Sequence, residues 1–190
     1  SPNLQAPIKQ LLEKTKPYFK HHKEFALPKS SILSELADRF RILQGRAIAK
    51  AHKDWLQLPG QLPQFAPAIA ARFNMALALT AQEEQEALNV QTQWQTLIAK
   101  NLNTNSCLFL PTTPTTAPKL GADTSALRMQ IITLSAIAGL SRSAQVHLPL
   151  ANLENGHPYG FSLMMNRGND KSLLACVQQL AAHFKQDTLA

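Results

Sequence analysis

Asn103-Thr104-Asn105-Ser106-Cys107-Leu108-Phe109-Leu110-Pro111-Thr112-Thr113-Pro114-Thr115-Thr116-Ala117-Pro118 is where the chain changes character. Asn103 to Asn105 is turn-prone, and Ser106 to Leu110 is a short continuous apolar run. Such a run suits a strand covered on both faces of its sheet. The strand must stop at Pro111, because the three prolines and four threonines that follow forbid regular backbone pairing and hold the loop stiff. A stiff loop at the end of a buried strand is a common ligand wall.

Upstream of this point the pattern is helical. Ile8, Leu11, Leu12 and Tyr18 recur at helical spacing over Ala6 to Phe19, with His21-His22-Lys23 suited to the negative end of that helix. Phe25-Ala26-Leu27-Pro28 predicts a brief extended segment, since Pro28 biases Leu27 away from helix. From Ile32 to about Leu56 the positions Leu33, Leu36, Ala37, Phe40, Leu43, Ala47, Ala51 and Trp55 form one stripe. Leu58 to Pro63 breaks the helix, and Pro67 can occupy the first turn of the next, Ala68 to Leu79. Thr80-Ala81-Gln82-Glu83 has capping-box spacing and opens a helix to about Leu102, its buried stripe being Ala87, Val90, Trp94, Leu97 and Ile98.

Downstream, helix and strand alternate. Ser125 to Gly139 returns to helical spacing with Gly139 as its stop. Ala144 to Leu150 and Tyr159 to Met165 predict a hairpin around Asn155-Gly156. Asp170 can cap a last helix whose face is Leu173, Leu174, Val177, Leu180, Ala181 and Phe184.

Composition bounds the function. The 190 residues are 45% hydrophobic and 16% charged, which excludes intrinsic disorder and fits one domain or a large part of one. Cys107 and Cys176, well separated in the sequence, cannot make a disulfide scaffold or a four-thiolate zinc site, so a reducing compartment and a cytoplasmic location are expected. No run reaches the ~20 apolar residues of a membrane span. The net charge of +7 gathers at Lys9, Lys14, Lys16, Lys20, Lys23 and Lys29. No base-reading helix or aromatic-interleaved strand accompanies these lysines, so they are expected to form a solvated helix face rather than a nucleic-acid site.

Self-sufficient chemistry is missing. The seven glycines form no phosphate loop, so no nucleotide cofactor is implied, and the six histidines form no His-Glu-x-x-His zinc motif. Gly139-Leu140-Ser141-Arg142-Ser143 begins like a nucleophile elbow but lacks the final glycine and runs from helix to strand, the reverse of the order an elbow needs. Glu83, Glu84 and Glu86 suit the first turn of a helix better than an acid-base pair.

A resemblance completes the reading. Cys107 to Pro118 resembles the "apolar strand, Pro-Thr-x-Pro-x-x-Ala-Pro" segment in the C-terminal half of amidase signature enzymes. In the same order, Arg128, Thr133 and Ala136 to Gly139 resemble the family's next helix, and Gln145 to Ala151 its next strand. Gly156-His157-Pro158-Tyr159-Gly160-Phe161-Ser162-Leu163-Met164 resembles its "Gly-x-Pro-x-Gly-x-x-Leu" strand, and Asn169 to Leu174 the start of its last helix. Gln44 to Trp55 with Pro67 to Phe73 looks like a helical insert found in many members.

The resemblance implies the C-terminal part of an α/β/α amidase-signature fold, several helices covering a few strands of a mixed sheet. Residues 1–105 would be mainly helical and residues 106–190 would carry the strands. It implies hydrolysis of carboxamide C–N bonds without a cofactor. The serine, bridging serine and lysine that perform it belong to the family's N-terminal half, so no catalytic residue is transferred here and this chain alone is expected to be inactive. Thr112, Thr113 and Pro114 become the expected substrate-binding wall; a rigid loop without ligand contact is the alternative. Ser141-Arg142-Ser143 departs from the glycine or proline that many members carry. The expected partners are a small amide substrate and an upstream amidase segment, with homo-oligomers allowed and no membrane. The rival is a non-catalytic module that binds through the basic first helix or an open sheet edge.

Overall fold

The computed structural model describes residues 4–26, 30–60 and 64–187. Leu27, Pro28 and Lys29, and the Gln61 to Pro63 half of the predicted helix break, lie outside the described residues. Helices α1 (Gln5–Thr15), α2 (Ser30–Leu56), α3 (Pro67–Ala78) and α4 (Ala81–Asn101) precede strand β1 (Leu108–Leu110). Helix α5 (Ser125–Ser141), strands β2 (Ala144–Asn152) and β3 (Pro158–Met165), and helix α6 (Asp170–Asp187) follow.

The three strands form one sheet in the order β1-β3-β2, antiparallel throughout. Alternation along β3 sends side chains to both faces, and both faces are covered. Met164, with Leu108 and Leu110 of β1, meets α2, α4 and α5 through Leu36, Trp94, Ile98, Ile137 and Leu140. Phe161, Leu163 and Met165, with Leu148 of β2, meet α1 and α6 through Leu11, Leu173, Leu180 and Phe184. The result is the expected α/β/α layering. Full burial of side chains such as Phe161 and Leu163 contributes about 1.5–3 kcal/mol each, which makes β3 the anchor of the molecule. Phe19, Phe109 and Phe161 continue this face as an aromatic row, with ring centroids 5.2 and 5.1 Å apart.

Local signals explain most boundaries. Thr80 Oγ1 accepts the Glu83 backbone N–H at 3.2 Å, and the Glu83 carboxylate accepts the Thr80 backbone N–H at 2.7 Å, completing the predicted capping box. The Thr80 hydrogen bonds, backbone first, hold the Glu83 carboxyl below its usual range. Pro67 occupies the first turn of α3. His22 Nε2 lies 2.9 Å from the Lys16 carbonyl oxygen, just past α1.

Four expectations change. The α2 stripe is buried only in its first half: Ala47, Ala51 and Trp55 are exposed, while Ala49 and Leu56 are buried. Steps of four residues overshoot the helical period by about 40° each, so the stripe rotates off the core beyond Leu43. Leu97 likewise lies partly open at the surface of α4. Gly139 does not stop α5; a Cβ there would sit 2.7 Å from the Phe40 ring, so its role is to let α2 approach. The stop is Arg142, at φ 55°, with the Ser143 N–H donating to the Ala138 carbonyl at 3.1 Å and the Arg142 N–H to the Gly139 carbonyl at 3.3 Å. Finally, α6 starts one position earlier than a cap at Asp170 requires, because the Leu173 N–H already donates to the Asn169 carbonyl.

Candidate functional site

The proline-threonine loop leaves β1 beside the open ends of β2 and β3. Leu110 pairs with Ser162, and His147 pairs with Ser162 from the other side, so β2, β3 and the loop leaving β1 deliver one polar group each to the same place. Thr112 Oγ1 lies 2.6 Å from His147 Nδ1 and 2.7 Å from Ser162 Oγ. Ser162 is wholly buried, so Thr112 supplies a hydrogen-bond partner that water cannot. Burial pushes the His147 imidazole below its usual pKa, partly offset by the Phe161 backbone carbonyl, so the ring is neutral at pH 7.

In front of this row lies a cavity of about 120 Å³, walled by Thr113, Thr115, Thr116, His147, Tyr159 and Gly160. Leu4, at the start of α1, closes another side. The wall thus mixes hydroxyls, one imidazole and an aromatic ring, groups that can hydrogen-bond a small polar ligand. Thr113 Oγ1 donates to the Thr115 carbonyl at 2.9 Å, fixing the loop from within.

Of the three residues expected as wall, Thr113 lines the cavity; Thr112 stands behind it, turned toward His147 and Ser162; and Pro114 lies exposed on the loop outside the lining. Sequence reasoning missed His147, Tyr159 and Gly160. Alternation within β2 and β3 marks which residues share a face, but only register shows which of them meets Thr112.

Ser141 and Ser143 take no part. Ser141 Oγ donates to the Ile137 carbonyl at 2.8 Å and lies 2.8 Å from Ser143 Oγ, so both hydroxyls finish α5. Neither is hydrogen-bonded to His147, whose side-chain partner is Thr112. Among the described residues no cluster of three or more His, Cys, Asp or Glu could hold a metal ion, and no helix is long and apolar enough to cross a membrane.

Comparison with known proteins gives this geometry its context. No protein-family model matches the chain. Amidase 1 of Arabidopsis thaliana is 32% identical over 162 residues, covering 84% of this chain and 37% of the relative. Amidase 1 of Oryza sativa subsp. japonica is 30% identical over 161 residues, covering 83% and 36%. Among solved structures, an amidase superposes with a TM-score of 0.72 at 22% identity, covering 96% of this chain and 41% of the other. A bacterial aryl acylamidase of the amidase signature family superposes at 0.63 and 16%, covering 96% and 40%.

The chain belongs to the amidase signature family. It spans little more than a third of the length of these curated amidase relatives. Another relative of this amidase-family chain is the chloroplastic outer envelope protein 64 of Arabidopsis thaliana, 27% identical over 165 residues, covering 85% of this chain and 28% of the relative.

Proposed function

We propose that this chain is the C-terminal portion of an amidase-type hydrolase acting on carboxamide C–N bonds of small molecules in the cytoplasm. In this reading residues 1–190 make one domain portion, residues 1–105 mainly helical and residues 106–190 bearing the sheet. Its share of the work is structural and selective: it holds the sheet and presents the substrate wall. The serine nucleophile, bridging serine and lysine base would come from an upstream amidase segment, because a serine hydroxyl is a weak nucleophile until a base lies within hydrogen-bond reach.

The observation that carries this is the cavity at the proline-threonine loop, backed by the hydrogen-bonded row of Thr112, His147 and Ser162. An amide substrate needs donors and acceptors placed before it arrives, and a loop stiffened by three prolines holds them without moving. Thr113 touches the ligand in this reading; Thr112 sets the wall from behind; Pro114 fixes the loop's course. The second edge of β1 carries no strand among the described residues, which leaves room for the upstream segment to extend the sheet there.

Joining the chain to its upstream coding segment and assaying aliphatic and aryl amides tests the proposal. Hydrolysis is expected from the joined chain and not from this one. Hydrolysis by this chain alone, surviving Ser141→Ala and Ser143→Ala together, would overturn it.

A further inference from the structure

The cavity at the proline-threonine loop carries no fixed charge. Its wall is drawn from the loop after β1, from β2 and β3, and from Leu4 at the start of α1, and it contains no Asp, Glu, Lys or Arg. His147 and Tyr159 are the titratable side chains of that wall. The hydroxyls of Thr115, Thr116 and Tyr159 have no hydrogen-bond partner among the described residues, so each can both donate to a ligand and accept from it. A volume of about 120 Å³ suits a group of about five heavy atoms.

The hydrogen-bonded row behind the wall governs the charge of His147. Thr112 has one hydroxyl proton and two partners, His147 Nδ1 at 2.6 Å and Ser162 Oγ at 2.7 Å. Two directions are open to such a row. In the first, Ser162 donates to Thr112 and Thr112 donates to Nδ1, so the ring is neutral with its proton on Nε2. In the second, a proton on Nδ1 is donated to Thr112 and Thr112 donates to Ser162. Ser162 is wholly buried and Thr112 is its side-chain partner among the described residues, so the second direction strands the Ser162 proton without an acceptor. The first direction prevails. Protonating His147 must reverse both bonds against that cost, and burial of the ring acts in the same sense.

We propose that His147 is a specificity-determining residue, which through this row keeps the cavity uncharged and restricts it to small neutral amides, excluding substrates whose seated group is a carboxylate or an ammonium. The inference rests on the reading of this cavity as the substrate wall and deepens it by naming the substrate class. A carboxamide presents an acceptor and N–H donors to hydroxyls that can answer both. A carboxylate gives up water for a wall with no cation to pair it, and an ammonium finds no carboxylate there. Below about pH 6.5 the ring begins to gain a proton, and with it the wall gains a positive charge. Discrimination against carboxylates therefore narrows on the acid side.

Proton NMR of the whole chain with propionamide, propionate and propylammonium tests this. The probe is the Cε1–H signal of His147, assigned by its disappearance in His147→Gln. At about pH 7.5 propionamide is expected to shift that signal at a concentration about fivefold or more below either charged analogue. As pH is lowered, propionate should gain on propionamide. By linkage it should raise the pH midpoint of the His147 signal, which propionamide should not. Should His147→Gln fail to fold, sequential assignment of the wild-type chain identifies the same signal. Equal or tighter binding of propionate at about pH 7.5, or no response of His147 to any of the three, would overturn the proposal. In the chain joined to its upstream segment the same ranking is read as kcat/KM for butyramide over succinamate. Hydrolysis there without that preference overturns this inference and leaves the amidase reading standing. Discrimination by NMR in a joined chain that hydrolyses nothing supports this inference and removes that reading.

Discussion

The hydroxyl of Thr112 lies 2.7 Å from the hydroxyl of Ser162, a group with no exposure to solvent. Removing the Thr112 hydroxyl while keeping its shape, Thr112→Val, leaves Ser162 buried without this partner. A loss of about 1–3 kcal/mol is expected in urea denaturation. Adding Ser162→Ala to that variant removes the orphaned group, so the double variant should recover part of the loss. The coupling between the two sites should be about 1 kcal/mol in a double-mutant cycle. Strict additivity would refute the link.

His147 sets a pH dependence on the acid side. Its folded-state pKa lies below the ordinary histidine value because burial disfavours the charged ring. The unfolded chain therefore binds the proton first as pH falls, so the contribution is present above about pH 6.5 and is lost as pH falls through the folded value. The effect should be small, since the side chain is well exposed. His147→Gln should flatten the stability profile below about pH 6.5 when thermal midpoints are compared on the acid side. An unchanged slope would show that other groups govern it.

Gly160 permits the hairpin to close. A Cβ at this position would stand 1.8 Å from the Leu148 carbonyl oxygen, beside the irregularity between Pro149 and Ala151 in the β2–β3 register. Backbone cannot yield as a side-chain tip can. Gly160→Ala is expected to destabilise the chain by about 3 kcal/mol or more, or to prevent folding, measured by denaturation and by amide protection in β3. Gly156→Ala, in the loop with φ 80° but open space around it, should cost only about 1 kcal/mol.

Arg142 is a non-glycine residue in the left-handed region at the end of α5. Arg142→Gly relieves that conformation, offset by the greater freedom glycine has in the unfolded chain. The expected result is a gain of about 0.5–1 kcal/mol with the fold unchanged. A loss would mean that the Arg142 side chain itself stabilises the helix end.

Legibility in the sequence followed the range of the interaction. The capping box at Thr80 and Glu83, the proline start of α3 and the Asn155-Gly156 reversal are decided within a few residues, and each appears where its residues predict it. The apolar run at Ser106 to Leu110 was legible for the same reason, since a strand covered on both faces needs no alternation, although the paired strand begins only at Leu108. Gly139 was misread because a glycine near a helix end looks like a stop, while its purpose here is the contact with Phe40 across more than ninety positions of sequence. The cavity was half legible. Its proline-threonine wall stands out locally, but His147 and Tyr159 enter it only through strand register.

The uneven fate of the α2 stripe has a spectroscopic consequence. The chain has two tryptophans, and they occupy opposite environments: Trp94 is buried, its indole N–H donating to the Ile137 carbonyl at 2.9 Å, while Trp55 is 44% exposed beside Phe65. Emission from the intact chain is therefore a sum of a blue, shielded component and a red, quencher-accessible one. Acrylamide added in steps would dim the second first, giving separate optical readouts for the junction of α4 with α5 and for the far end of α2.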